Sequence, residues 1–127
     1  MIKKVLISVV ALFSIGFSYA QEVEIDSRLE AKYTKVELIS LQETNASELS
    51  FLNYCVENAF NITPFPVEKA GVSEMQSPIE IDDLNAINFF QLGLTIENVE
   101  WQYYPILGTD KLLVVYSRET IEANMKK

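Results

Sequence analysis

The stretch Glu100-Trp101-Gln102-Tyr103-Tyr104-Pro105-Ile106-Leu107-Gly108-Thr109-Asp110-Lys111-Leu112-Leu113-Val114-Val115-Tyr116-Ser117 decides the fold. Two runs rich in aromatic and β-branched residues flank Gly108-Thr109-Asp110, which is the pattern of a β-hairpin. An even-length loop sets Trp101, Tyr103, Leu107, Leu112, Val114 and Tyr116 on one face. Gln102, Tyr104, Ile106, Leu113 and Val115 then take the other, so the hairpin is apolar on both sides. Pro105 has no N–H to give to a ladder, which assigns its strand to a sheet edge or a bulge.

Upstream the periodicity is helical. Thr34-Lys35-Val36-Glu37 has the spacing of a capping box, in which hydroxyl and carboxylate satisfy each other's backbone N–H groups, and predicts a helix of about two turns. Asn45-Ala46-Ser47-Glu48 offers a second start, with Asn45 or Ser47 as cap. Leu49, Leu52, Cys55, Val56, Ala59 and Phe60 then recur at steps of three and four, predicting an amphipathic helix over 46–60. Asn61 is its expected terminator, and Pro64 and Pro66 block continuation. Residues 63–78, with Pro64, Pro66, Gly71 and Pro78, read as a connection.

Ile79-Glu80-Ile81 alternates as a short strand does, and 86–94 is assigned to a strand ended by Gly93. Ser117 is placed to cap a final short helix, Arg118 to Met125, with Lys126 and Lys127 at its negative end. Helices first and sequential strands after, without βαβ alternation, predict an α+β fold. Two N-terminal helices pack on a small, mostly antiparallel sheet of three to four strands, followed by a short C-terminal helix. Helix 46–60 is expected to lay Leu49, Leu52, Val56 and Phe60 on one sheet face.

The chain opens with Met1-Ile2-Lys3-Lys4, an apolar run Val5–Phe17 and the small-x-small end Ser18-Tyr19-Ala20. Basic start, short apolar core and small residues at the end describe a secretory signal peptide over 1–20, cleaved before Gln21. The apolar run is too short to span a bilayer, and no later stretch is apolar enough. The product is expected to be exported, periplasmic or secreted. Residues 21–32 read as a mobile N-terminal arm and 33–127 as one α+β domain. Losing Lys3 and Lys4 takes the formal net charge from −8 to −10. That balance opposes nucleic acid and anionic lipid, which need Lys and Arg against phosphate.

With no His and one Cys, the Ser-His and Cys-His catalytic arrangements, imidazole metal sites, CxxC redox pairs and disulfide frameworks are excluded. Cys55 sits on the helical stripe with no adjacent cation to lower its pKa, and reads as a buried thiol. Glu80, Asp82 and Asp83 lack the D-x-[DN]-x-[DN]-G order of a calcium loop and read as a solvated acidic edge. Asn45-Ala46-Ser47 and Asn61-Ile62-Thr63 match the glycosylation pattern but sit where helix caps belong.

No catalytic residue, metal site or cofactor is assigned. The suggestive cluster is Trp101, Tyr103, Tyr104 and Tyr116, because Trp and Tyr on a sheet anchor protein interfaces or stack on sugars. The sequence therefore reads as a small acidic, exported, non-catalytic protein that acts by binding through an aromatic hairpin face. A protein partner in an envelope assembly, or self-association, leads a polysaccharide as the ligand. The alternative is a small secreted hydrolase that uses paired carboxylates, for example on a glycan.

Overall fold

The computed structural model describes residues 22–65 and 75–127. The signal-peptide reading and the middle of the 63–78 connection lie outside the described residues. Helix α1 spans Lys35–Thr44 and α2 Ala46–Asn58; strands β1, β2 and β3 span Phe60–Pro64, Gln102–Pro105 and Lys111–Val115; helix α3 spans Arg118–Met125. The sheet is three-stranded and antiparallel in the order β1-β3-β2. Mixed α+β architecture, with helices before the sheet and a short one after it, is as the residue order predicts.

Local chemistry sets the helix ends. Thr34 and Glu37 form the reciprocal capping box that starts α1. Asn45 both ends α1 and caps α2, its side chain accepting the Glu48 N–H at 3.3 Å. Ser117 caps α3 by accepting the Thr120 N–H at 3.1 Å. Helix α2 buries Leu49, Leu52, Cys55 and Val56, with Phe51 beside them, against the sheet.

The hairpin register pairs Tyr103 with Val114 and Tyr104 with Leu113. Ile106 N–H donates to the Lys111 carbonyl at 3.1 Å, so the loop is the four residues Leu107–Asp110, an even number. Gly108, at φ +76°, supplies the left-handed residue that this turn needs. Tyr104, Ile106, Leu113 and Val115 face the helices and join Leu49, Leu52, Cys55 and Val56 in the main core. Fully burying a side chain of this size contributes about 1.5–3 kcal/mol relative to leaving it in water.

Four expectations need correction. Residues 60–64 form β1, not the end of α2 and a linker; Phe60 and Ile62 pack on the core while Asn61 and Thr63 alternate outward. Asn61 is therefore a strand residue, and only Asn45 of the two glycosylation-pattern asparagines is a helix cap. The stretch 86–94 holds a 3₁₀ turn, Phe89–Leu92, where a strand was expected. Phe89 and Phe90 are consecutive and both buried, which a strand with one covered face cannot achieve. The Asn88 side chain accepts the Phe90 N–H, and Gly93 at φ +72° closes the turn, so its role as terminator holds.

Residues 79–81 make one bridge, a parallel pairing of Ile79 with Ile106, in place of a strand. The ladder stops because Pro105 lies on the edge strand facing this segment and lacks an N–H. Residues 22–32 are docked where an arm was expected: Ser27–Ala31 is a 3₁₀ turn with Leu29 fully buried. Asn53 of α2 accepts the Asp26 N–H and donates to the Glu24 carbonyl, which fastens the segment.

Candidate functional site

The alternation of β2 and β3 divides the four aromatic candidates. Trp101 and Tyr116 come together, Tyr103 shares the strand parity of Trp101 and pairs with Val114, and Tyr104 lies on the other face, buried in the core. The Tyr104 hydroxyl donates to Gln102 Oε1 at 2.8 Å, and Gln102 Nε2 in turn donates to the Thr95 carbonyl at 2.7 Å. Burial raises the Tyr104 pKa above its usual value. Tyr104 is a core residue with a satisfied hydroxyl and presents nothing to a ligand.

The outer face is not bare. Leu112 and Val114 at its centre are buried, and Tyr103 and Tyr116 are half-buried. Exposure lies at the two ends, at Leu107 beside the loop (56%) and at the other end, where Trp101 keeps 43% and Val99 66% of their surface in water. Trp101 immediately precedes β2 and sits opposite Tyr116 just beyond β3. Their rings meet edge to face, centroids 5.0 Å apart and planes at 68°.

Helix α3 fixes this corner. The Trp101 indole N–H donates to Thr120 Oγ1 at 2.9 Å, and the buried Ser117 hydroxyl donates to the same oxygen at 3.0 Å. The loop that delivers Trp101 is fastened to the first turn of α3. Arg118 N–H donates to the Glu97 carbonyl at 2.8 Å and Glu119 N–H to the Asn98 carbonyl at 3.1 Å. The ring is thus exposed yet held by a hydrogen bond and an aromatic partner. Preorganised aromatic area of this kind loses little rotamer freedom on contact.

The residues that hold the corner, Ser117 and Thr120, were not among the sequence's site candidates. The cap at Ser117 was legible, and the helix it starts has to bring Thr120 near the end of β3. What the sequence did not carry was the return of 97–98 to the same turn.

Elsewhere two clefts carry charged side chains. A cleft of about 480 Å³ is lined by Arg28, Glu57, Phe60 and residues 84–88. Its Arg28 guanidinium is bound by both Asp26 and Glu57, and that contact holds the Asp26 carboxyl below its ordinary range. Glu80, Asp82 and Asp83 are exposed at a neighbouring cleft of about 340 Å³, where Asp83 accepts the Asn85 N–H. Among the described residues no group of three or more Cys, Asp and Glu is placed to hold a metal.

Cys55 is fully buried on α2, and desolvation pushes its thiol up to about 12, so it is no nucleophile near neutral pH. Among the described residues no helix is long and apolar enough to cross a membrane. No protein-family model matches this chain, and comparison with curated proteins and with solved structures finds no match.

Proposed function

We propose that this protein is an exported, non-catalytic binding protein, periplasmic or secreted, that holds another protein through the outer end of its hairpin. The partner is a component of an envelope assembly or a second copy of the chain. The observation that carries the reading is the state of Trp101: two-fifths exposed, immobilised by Thr120 and Tyr116, and continued on the surface by Val99. An aromatic anchor fixed in place at an exposed patch is the usual centre of a protein contact. For the carboxylate-hydrolase alternative, Glu48, Glu57 and Glu122 are engaged by arginines.

The test is the double variant Trp101→Ser/Tyr103→Ser. Both side chains lie on the outer face, so the fold should survive with a loss of about 1–3 kcal/mol from the aromatic pair and the indole hydrogen bond. Self-association by sedimentation velocity, and capture of partners from an envelope extract, should both be lost. A variant that stays folded and still associates or captures as the parent does would refute the proposal.

A further inference from the structure

We infer that β1 carries a second interaction surface: its outer edge takes an extended segment of a partner protein as an added strand, with apolar and polar residues in alternation. This surface is separate from the Trp101 corner and does not depend on it. The sheet order β1-β3-β2 leaves one long side of β1 and one of β2 without a neighbouring strand. The β2 side is covered. The Tyr103 and Pro105 carbonyls accept the Gln76 and Ile79 N–H groups at 2.8 and 2.9 Å, and the Leu107 N–H donates to the Ile79 carbonyl at 2.8 Å.

The β1 side is open. Tyr116 N–H donates to the Ala59 carbonyl and Phe65 N–H to the Asp110 carbonyl, one bond at each end of the strand. The register is unbroken between them, so antiparallel alternation turns the N–H and C=O groups of Asn61 and Thr63 toward β3 and those of Phe60, Ile62 and Pro64 outward. Among the described residues no backbone group bonds to that outward row. Every residue of β1 keeps part of its surface in water. Donors and acceptors at strand spacing along an open edge are a template for another strand. Phe60, where the row starts, is also a wall of the cleft of about 480 Å³ bounded by 84–88, which leaves space beside it. An added strand sets alternate side chains beside Phe60 and Ile62, which pack on the core, and the others beside Asn61 and Thr63, which face outward.

Pro64 and charge favour a foreign segment over a second copy. Pairing of β1 with itself about Ile62 sets Pro64 opposite Phe60, and the missing N–H leaves both Phe60 carbonyls without a donor. A foreign segment with an N–H at each position satisfies the whole row. Two chains of formal net charge −8 also repel each other, whereas a segment carrying Lys or Arg is attracted. The surroundings of the edge share that sign. Arg28 in the cleft is already paired with both Asp26 and Glu57, and Asp82 and Asp83 line the adjoining cleft, which has 86–88 in common with it.

Hydrogen exchange on the whole ¹⁵N-labelled chain reads the row directly. In the free chain the Asn61 and Thr63 amides, bonded to β3, should exchange at least about a hundredfold more slowly than the Ile62 amide between them. Saturating Lys-Val-Thr-Val-Thr-Val-Lys, capped at both ends, should slow Ile62 by about tenfold or more. The same peptide N-methylated at every Val and Thr carries methyl groups where ladder N–H groups belong, and should leave Ile62 within about twofold of its free rate. Trp101→Ser/Tyr103→Ser should respond as the parent does, which separates loss of the corner from loss of this edge. An Ile62 amide as slow as its neighbours in the free chain would show the edge already paired within the chain. Protection that rises with protein concentration alone would make the occupant a second copy. Either result, equal effects of the two peptides, or no slowing by the first would overturn the inference.

Discussion

Tyr103 and Tyr104 are adjacent in sequence and belong to opposite sides of the molecule. Tyr104 points at α2, is buried, and has its hydroxyl satisfied by Gln102. Tyr103 points away, and its carbonyl accepts the Gln76 N–H at 2.8 Å. One step along a strand therefore separates a residue that maintains the fold from one available for contact. The same alternation sets Leu113 against Trp101: the first has no exposed surface and packs in the main core, the second keeps 43% in water. Both faces are apolar in composition, and what distinguishes them is whether α2 lies on top.

The largest effect that would break this comparison is expected at Leu113. Leu113→Ala should cost about 3–4 kcal/mol, within the range for leucines deleted from a well-packed core. Val99→Ala at the exposed corner should cost less than about 0.5 kcal/mol. Denaturant midpoints of the two variants measure the difference, and comparable values would mean that the faces are not distinct in energy.

A smaller effect, confined to alkaline pH, comes from Cys55 on the helix that covers the inner face. Burial raises its thiol from 9.0 to about 12. A folded-state pKa above the unfolded one means the stabilisation is complete below pH 9 and is lost as pH rises toward 12. By pH 10 the unfolded chain has released a proton that the folded chain retains, which costs on the order of 1 kcal/mol. Cys55→Ala starts from a lower stability but should be less sensitive to alkali by that amount. Urea titrations of both proteins at pH 8 and pH 10 should show it, and equal pH dependence would place the thiol in contact with water.

How legible each region was in the sequence follows from how local its causes are. The hairpin and its two faces were readable because parity along a strand and an even loop settle both. The start of α1 was readable because Thr34 and Glu37 are three residues apart. Strand β1 was not, since Phe60 and Asn61 continue the helical rhythm and end of α2, while the partner that makes them a strand is Val115, far along the chain. The turn at Phe89–Leu92 fitted strand alternation equally well until both phenylalanines proved buried. At the candidate site, parity placed Trp101, Tyr103 and Tyr116 together and Tyr104 apart. The burial of Leu112 and Val114 on the outer face, and the bond from Trp101 to Thr120, depend on tertiary packing that no local spacing encodes.

The smallest effect sharpens the outer half of the comparison, asking whether Trp101 is held or merely exposed. Thr120 Oγ1 accepts both the indole N–H and the Ser117 hydroxyl, so Thr120→Val removes the anchor and keeps the side chain's shape. The stability loss should be about 0.5–1.5 kcal/mol, because the exposed indole N–H recovers a water molecule as partner. The informative readout is motion. With one tryptophan in the chain, time-resolved fluorescence anisotropy should show the ring gaining a fast, wide-amplitude component in the variant that the parent lacks. Contact through a preorganised ring should weaken in step with that gain, because ordering a loose side chain costs about 0.5–1.5 kcal/mol on binding. A parent whose indole already moves as freely as the variant's would show that exposure alone, without fixation, characterises the corner.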